Sequence, residues 1–276
     1  MRSVGAHALV TGGSSGIGRS IAAELARLGC HVHLVARRPD RLLQAVDLVA
    51  AQRCASTQRI VSHTCDVSSE SDVTALFAHL RTQSEEPSIV INSAGATRPG
   101  YVDALPLSAF EQLMAVNYFG TINVLKAAVP GMKTRGEGHI LNVASLAALV
   151  GVFGMSAYCG SKFAVRGLTE SVRAELRPHG INVSLLCPPD TDTPMLAEEV
   201  TTRPPETAAL SESAGTLSPD FVAAVAVRGL QRGQALIVPG FEGRVTALTQ
   251  RLAPGLVERI SARIVRKASR PSKGAR

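Results

Sequence analysis

Short apolar runs alternate along the chain with stretches whose hydrophobic positions recur every three or four residues. Seven of the runs predict strands, and several are continuously apolar, as expected for strands covered on both faces. They span residues 7–12, 31–36, 59–66, 88–95, 139–145, 181–188 and 235–240. Helical patterns lie between them at 17–28, 40–52, 69–84, 108–133, 156–178 and 219–232. Repeated β–α units predict an α/β fold of Rossmann type, with a doubly wound, seven-stranded parallel sheet and helices on both faces.

The composition narrows the class of protein. Hydrophobic residues make up 45% of 276 residues, which is enough to bury a sizeable core. No apolar run approaches the ~18 residues of a membrane span, and the first strand pattern begins too early to leave room for a signal peptide. Five cysteines without CxxC spacing indicate reduced thiols. We therefore expect a cytoplasmic protein, and we assign no metal ligands.

Charge is distributed unevenly along the chain. The net charge of +7 resides in residues 244–276, which hold nine basic residues and one acid, whereas residues 1–243 are nearly neutral. A neutral body argues against nucleic-acid binding. Within the extension, Leu256, Val257, Ile260 and Ile264 share one face of a predicted amphipathic helix over 253–267. Such a helix either lies in an anionic membrane interface or packs on the body, and the last residues, KASRPSKGAR, are predicted to be disordered.

A glycine-rich stretch, TGGSSGIG at residues 11–18, follows the first strand and opens the first helix. Glycines let the backbone turn tightly and approach a pyrophosphate, and the helix N-terminus supplies free N–H groups and a positive dipole end. The strand–loop–helix context indicates a dinucleotide site. The cofactor-binding residues predicted here are Gly12, Ser14, Ser15, Gly16, Ile17 and Gly18.

The end of the second strand indicates which dinucleotide is bound. NAD sites usually carry Asp or Glu there, about 20 residues past the glycines, to hold the ribose 2′-hydroxyl. This chain has Arg37 instead, with Arg41 one turn further on. Guanidinium groups pair with phosphate through two hydrogen bonds. We therefore expect both arginines to hold a 2′-phosphate, and NADPH/NADP+ to be the cofactor.

Four polar residues form a candidate proton-transfer set. Tyr158 and Lys162 are four residues apart on a predicted helix, so both side chains lie on one face. A nearby lysine cation favours the phenolate, so we expect it to lower the pKa of Tyr158 from about 10 and make the phenol a usable acid or base. Ser145 ends the preceding strand, where its hydroxyl can bind a reacting carbonyl. Asn117 lies inside a long predicted helix, where Asn is locally unfavourable, which indicates a role for its side chain.

This motif set resembles that of the short-chain dehydrogenases/reductases, in the family's order and spacing over about residues 7–240. The matching residues are Thr11-Gly12 with Gly16 and Gly18, the Asn92 to Gly95 stretch, Asn117, Ser145, and Tyr158 with Lys162. The resemblance implies that Tyr158 donates a proton, that Lys162 holds the nicotinamide ribose and tunes Tyr158, and that Ser145 polarises the carbonyl. Asn117 would anchor a water relay behind Lys162.

The same resemblance implies further cofactor contacts. Asp66 and Val67 would touch the adenine, and Asn92, Ala94 and Gly95 would line the cofactor cleft. Residues 1–243 would then be one NADP-binding catalytic domain. The family commonly pairs subunits through the two long helices, so we expect a homo-oligomer, a dimer or a tetramer.

The loop CPPDTDTPML at 187–196 resembles a narrower group of the family, the 3-ketodihydrosphingosine reductases. This resemblance implies NADPH-dependent reduction of 3-ketodihydrosphingosine to dihydrosphingosine. The C-terminal helix suggests, at most, peripheral association with the cytosolic face of a membrane. Thr191 or Thr193 would contact the nicotinamide amide, and residues near 195–215 would form a mobile substrate flap. Two alternatives stay open: a reductase of another lipid ketone, such as a β-ketoacyl thioester or a steroid, and a non-catalytic NADP-binding, membrane-associated regulator.

Overall fold

A computed structural model describes residues 1, 3–212 and 215–269. The seven strands are β1 His7–Thr11, β2 His31–Ala36, β3 Ile60–Thr64, β4 Ile89–Asn92, β5 Gly138–Val143, β6 Ile181–Leu186 and β7 Leu236–Ile237. All pair in parallel, in the order β3-β2-β1-β4-β5-β6-β7. The predicted fold class, a doubly wound seven-stranded parallel sheet, is therefore confirmed.

The described helices include the six predicted segments and several that the pattern missed. They are α1 Gly16–Arg27, α2 Pro39–Ala50, α3 Glu70–Thr82, α4 Leu107–Leu113, α5 Gly120–Arg135, α6 Ser156–Leu176, α7 Pro194–Val200, α8 Pro205–Glu212, α9 Pro219–Gln231, α10 Phe241–Leu252 and α11 Pro254–Ala268. A π-helical turn, Met114–Phe119, joins α4 to α5 inside the stretch predicted as one helix. Helices α7, α8 and α10 were not predicted; α7 and α8 are short, at seven and eight residues.

Two aliphatic layers hold the helices against the sheet. Residues of α1, α2 and α9 pack on one face, and residues of α3 and α5 pack on the other. Strands β1 and β4 are neighbours, yet the helices that follow them lie on opposite faces. In open α/β sheets a crevice forms at such a switch point, at the carboxyl ends of the strands. The glycine-rich loop after β1 lies in this crevice.

A buried threonine fixes the crevice. Oγ1 of Thr11 accepts hydrogen bonds from the backbone N–H groups of Ser93 and Ala94, each at 3.1 Å, and donates to the carbonyl of Ile91 at 3.4 Å. The side chain is 2% exposed, so these bonds form away from water, where unpaired groups are costly. The loop after β4 is thereby held against the end of β1.

The C-terminal helices pack on the body, as one of the two interpretations of this segment predicted. Helix α11 lies against α8 and α10. Ser269 Oγ donates to one carboxylate oxygen of Glu206 at 2.7 Å, and the Tyr101 hydroxyl donates to the other at 3.0 Å. No helix among the described residues is long and apolar enough to cross a membrane. The tail predicted to be disordered spans residues 267–276; Lys267 and Ala268 instead form the end of α11, and residues 270–276 lie outside the described residues.

A row of histidine rings crosses β1, β2 and β3. Nδ1 of His7 lies 3.0 Å from Nε2 of His33, and Nδ1 of His33 lies 3.0 Å from Nε2 of His63, so neighbouring rings share hydrogen bonds. The His33 side chain is 1% exposed. Burial and, to a smaller extent, the adjacent His63 and His7 lower the pKa of His33 to about 3. The ring is therefore neutral in the folded protein throughout the physiological range.

This depressed pKa makes the stability of the fold depend on pH. Below the unfolded-state pKa of about 6.5, the unfolded chain binds a proton at His33 that the folded chain does not. Stability from His33 is therefore present above about pH 6.5 and is lost as the pH falls toward 3. Between pH 7 and pH 5 the loss is about 2 kcal/mol. In urea titrations at both pH values, His33→Leu should lose less free energy of unfolding than wild type. The exposed His179→Leu variant serves as the control, and an equal loss in all three proteins would contradict the assignment.

Candidate active site

The glycine-rich loop forms a cradle with no room for side chains. A Cβ on Gly12 would lie 2.7 Å from the carbonyl oxygen of Ser93, and a Cβ on Gly18 would lie 2.5 Å from that of Gly12. Gly12 and Gly16 also have positive φ, 64° and 52°, which L-residues rarely adopt. Ser15 precedes α1 without capping it through its side chain. The N–H groups of the first turn therefore face the cleft, an arrangement that fits a pyrophosphate.

The predicted residues of the glycine-rich loop line one cavity, except Ser14, which is half-exposed beside it. The predicted cofactor residues that are contained in this lining are Gly12, Ser15, Gly16, Ile17, Gly18, Gly95, Tyr158, Lys162, Thr191 and Thr193. The loop, the catalytic helix and the residues after β6 thus meet in a single site.

The predicted adenine-side residues lie beyond the loop. Nη1 of Arg37 is 3.9 Å from Oδ2 of Asp66, so the ends of β2 and β3 bring these side chains together. Arg41 is half-buried in the first turn of α2. Val67 is buried, and its carbonyl accepts from Nδ2 of Asn123 at 2.9 Å. At this edge of the site, the long side chain of Arg37 therefore places its guanidinium beside the carboxylate of Asp66 and next to the apolar residue Val67.

Asn92 is placed behind the cleft rather than in its lining. Nδ2 of Asn92 donates to Oδ1 of Asn142 at 2.8 Å, and Nδ2 of Asn142 donates to Oγ1 of Thr169 at 2.9 Å. These bonds tie β4 and β5 to α6. Ala94 is held instead by its backbone, through the hydrogen bond to Thr11. The side chain of Asn92 thus supports the wall on which the cofactor residues lie.

Ser145, Tyr158 and Lys162 converge in the cavity. Ser145 follows β5 in an extended conformation, and its Oγ accepts from the N–H of Ala147 at 3.1 Å. Nζ of Lys162 lies 5.6 Å from the centre of the Tyr158 ring and donates to the carbonyl of Val143 at 3.1 Å. The two side chains on α6 therefore point the same way, as their i, i+4 spacing predicted.

The expected lowering of the Tyr158 pKa is wrong for this structure. Burial raises the pKa of Tyr158, and the carboxylates of Glu199 and Asp190 raise it further, while the hydrogen bond with Ser145 acts in the opposite direction. Burial also lowers the pKa of Lys162 to about 8. The phenol is therefore protonated near neutrality, which is the form that donates a proton.

Asn117 lies behind Lys162, within the π-helical turn. Its Oδ1 accepts from the N–H of Ala96 at 2.8 Å, and its Nδ2 donates to the carbonyl of Ala96 at 3.0 Å and to Oγ of Ser161 at 2.8 Å. A Cβ on Gly95 would lie 3.2 Å from Oδ1 of Asn117 and 3.5 Å from Nζ of Lys162. Asn117 thus joins the loop after β4 to α6 at the base of the site.

The proline-rich loop after β6 closes the cavity. Thr191 is buried, its Oγ1 donates to the carbonyl of Pro189 at 2.9 Å, and its backbone forms an isolated bridge with Leu217. Thr193 caps α7 by accepting from the N–H of Leu196 at 3.3 Å. A Cβ on Gly16 would lie 2.9 Å from Cγ2 of Thr193. This loop therefore lies directly over the glycine-rich loop.

The sequence did not reveal a buried charge cluster at this loop. Nη2 of Arg203 lies 3.0 Å from Oδ2 of Asp190 and 2.6 Å from Oε1 of Glu199, and Nη1 donates to Oγ of Ser211 at 2.8 Å. The i, i+4 spacing of Glu199 and Arg203 was the one available signal, and it does not disclose burial.

The cavity has a volume of about 500 Å³. Its apolar wall comes largely from residues of the predicted flap and from the two C-terminal helices, α10 and α11. The sequence analysis had not linked α10 and α11 to the site. The apolar residues of this wall include Met195, Leu196, Leu210, Val245, Val257, Ile260 and Ile264. One face of the predicted amphipathic helix therefore lines the site. The mobility of the flap stays a prediction.

Comparisons with known proteins identify the class. The short chain dehydrogenase family profile matches residues 6–204, and the chain belongs to that family. It is an oxidoreductase that acts on a ketone or the corresponding alcohol with an NAD(P) cofactor. Levodione reductase has the same fold, with a TM-score of 0.81 and 25% identity over 89% of this chain and all of that one.

Similar relatives narrow the group within the family. The chain is 38% identical to the 3-ketodihydrosphingosine reductase of Mus musculus and 37% identical to the 3-dehydrosphinganine reductase of Danio rerio. Each alignment covers 91% of this chain and 76% of the relative. It is also 30% identical to the putative oxidoreductase SadH of Mycobacterium tuberculosis, over 95% of this chain and 96% of the relative. The resemblance inferred from the loop after β6 is thereby confirmed.

The close packing of the glycine-rich loop predicts that alanine substitutions at two glycines have different effects on cofactor binding. Gly18→Ala places a Cβ against the Gly12 carbonyl and should weaken NADPH binding about tenfold or more, because the loop must shift away from the pyrophosphate. Gly160 is a matched control, since it lies in α6 near Tyr158 and a Cβ there meets nothing within 4 Å. Gly160→Ala should bind NADPH as wild type does. Binding can be followed by NADPH fluorescence titration, and similar affinities for both variants would refute the cradle.

Proposed function

We propose that the chain is an NADPH-dependent reductase that converts 3-ketodihydrosphingosine (3-dehydrosphinganine) to dihydrosphingosine (sphinganine). The observation that carries the proposal is the cavity, which places the hydroxyls of Ser145 and Tyr158 beside an extended apolar wall. A ketone on a long alkyl chain needs both features. The alkyl chain would lie against the flap and α11, where burial of each CH₂ contributes about 0.8 kcal/mol. The names of the similar relatives support the same substrate.

The chemistry assigned to the chain is proton donation to a carbonyl. Ser145 donates a hydrogen bond to the ketone oxygen and fixes its position. Tyr158, kept protonated by burial and by the flap carboxylates, gives its proton to the alkoxide as charge develops on that oxygen. When bound, the nicotinamide cofactor supplies the hydride to the ketone carbon. The product is the secondary alcohol, and Tyr158 is left as a phenolate.

Lys162 and Asn117 complete the proposed proton path. The Lys162 cation stabilises the phenolate that forms at Tyr158, and a pKa near 8 lets it pass a proton back. Asn117 holds the loop after β4 and α6 in register behind Lys162. Both residues act on Tyr158, whereas Ser145 acts on the substrate itself.

The preference for NADPH rests on Arg37. Its guanidinium lies at the end of β2, the position at which an acid would hold the ribose 2′-hydroxyl of NAD. Asp66 neighbours it at 3.9 Å, and the Arg37 side chain is 62% exposed, so the guanidinium is free to turn toward a 2′-phosphate. Arg41 adds a second cation one turn further along α2.

The proposal predicts a specific turnover. Purified protein should oxidise NADPH, measured by its absorbance, when 3-ketodihydrosphingosine is added. NADH should support at least tenfold lower kcat/KM. Tyr158→Phe should bind NADPH normally, yet its kcat should fall by about 10² or more, because the proton donor is removed.

Other outcomes separate the alternatives. Turnover with a β-ketoacyl thioester or a steroid ketone, and none with the sphingoid ketone, would keep the reductase and reject the substrate. NADPH binding without turnover of any ketone would favour the non-catalytic regulator. Tyr158→Phe turning over as fast as wild type would reject the role given to the phenol.

We further propose that the protein meets its lipid substrate at a membrane surface. The outer face of α10 and α11 is exposed and apolar, and basic residues flank it. The exposed apolar residues of this outer face that do not line the cavity are Phe241, Leu248, Leu252 and Leu256. A basic amphipathic surface of this kind suits an anionic membrane interface. Phe241 and Leu252 are 80% and 73% exposed, so neither is needed for packing within this chain.

Vesicle flotation tests this contact. Wild type should float with vesicles of phosphatidylcholine and phosphatidylserine and bind less to phosphatidylcholine alone. Leu252→Glu should bind about tenfold less tightly, because burial of one Leu contributes about 1.5–3 kcal/mol. Leu107→Glu is the control, since Leu107 is equally exposed, at 72%, but lies on α4. Equal binding by both variants, or no binding by wild type, would reject membrane attachment through this face.

A further inference from the structure

Two carboxylates and one guanidinium lie on the flap side of the cavity. Asp190 comes from the loop after β6, Glu199 from α7, and Arg203 follows α7. All three line the cavity together with Ser145 and Tyr158. Glu199 is 8% exposed, and Arg203 has a side-chain exposure of 7%. Two negative charges and one positive charge give this cluster a net charge of −1 inside a largely apolar wall.

Arg203 donates hydrogen bonds to only two of the four carboxylate oxygens of Asp190 and Glu199. Arg203 binds Oε1 of Glu199 through Nε at 2.7 Å and Nη2 at 2.6 Å, and it binds Oδ2 of Asp190 at 3.0 Å. Within the part of the chain that the structure describes, Oε2 of Glu199 and Oδ1 of Asp190 take part in no hydrogen bond. The side chain of Asp190 is 29% exposed, and a carboxylate oxygen that has no protein donor at the lining of a cavity is suited to pair with a cationic ligand.

The cluster is close enough to act on the reacting group. The carboxylate of Glu199, and more weakly that of Asp190, raises the pKa of Tyr158. Arg203 holds one oxygen of each carboxylate, and both carboxylate residues line the cavity. A cation on the substrate, adjacent to a ketone held by Tyr158, would therefore lie within reach of these oxygens.

We propose that Glu199, assisted by Asp190, binds the ammonium group of the substrate and so makes the enzyme selective for a ketone with an amine on the adjoining carbon. The inference rests on the proposed function, because 3-ketodihydrosphingosine carries its amine next to the reacting ketone. Binding pairs the excess negative charge of the cluster with the ammonium. It also fixes which face and which end of the substrate meet Ser145 and Tyr158. Glu199 is a specificity-determining residue, with Arg203 as a positioning residue.

The test compares two ketones that differ only in the amine. 3-Ketodihydrosphingosine and 1-hydroxyoctadecan-3-one are assayed with wild type, Glu199→Gln and Glu198→Gln. Glu198 is a matched control, because it lies on the same helix, loses the same charge and is exposed. We expect the ratio of kcat/KM for the amino ketone to that for the plain ketone to fall about tenfold or more in Glu199→Gln. The ratio should be unchanged in Glu198→Gln, and Glu199→Asp should recover part of it.

The outcomes distinguish this inference from the proposed function. If wild type reduces the amino ketone but Glu199→Gln has an unchanged ratio, the ammonium site is overturned and the function stands. If wild type reduces only the plain ketone, the proposed function fails. If Glu199→Gln does not fold or does not bind NADPH, the ammonium site can still be tested with the wild-type protein alone. Its kcat/KM should fall about tenfold or more when the amine of the substrate is N-acetylated, and equal values would overturn the site.

Discussion

The three hydrogen bonds of Thr11 are the constraint on which the site depends. They join β1 to the loop after β4 at a position in the sheet where the helices that follow two neighbouring strands lie on opposite faces. A crevice at this switch point is inherent in the topology, but its width is set locally. Gly12 approaches the Ser93 carbonyl so closely that a methyl group would not fit. The cofactor cradle and the position of Gly95 above Lys162 both follow from that contact.

The residues behind the site are polar and buried, and their hydrogen bonds compensate for a residue that is locally unfavourable in a helix. Asn117 is a poor residue for a helix interior, and the helix is indeed π-helical around it. Its hydrogen bonds to Ala96 and Ser161 compensate for this irregularity, because both Oδ1 and Nδ2 of the buried Asn117 amide have partners. The irregular turn therefore marks a functional position, as π-helical turns often do.

Sequence patterns identified what depends on local spacing. The glycine-rich loop, the Tyr158–Lys162 pair and the alternation of strands and helices in an α/β fold all follow from short-range signals. The burial of particular side chains could not be predicted from the sequence, because it depends on contacts between elements far apart in the chain. For this reason the direction of the Tyr158 pKa was wrong, and the Arg203 cluster was missed. The amphipathic pattern of α11 predicted a helix with an apolar face, but its contact with α8 depends on the tertiary fold. Oligomeric state stays a prediction.

The two halves of the cavity come from different parts of the chain, and this separates chemistry from selectivity. The cradle, Ser145, Tyr158 and Lys162 lie on the sheet and α6, whose positions the fold fixes. The substrate side is built from the flap, α10 and α11, and the flap is joined to the end of α11 by the hydrogen bond from Ser269 to Glu206. Helix α11 presents Val257 and Ile264 to the cavity and Leu256 to solvent. A lipid that leaves an interface at α11 would therefore reach the apolar wall without crossing open water. Such a wall holds an alkyl chain without selecting its head, so selectivity has to come from the few charged groups that the wall contains.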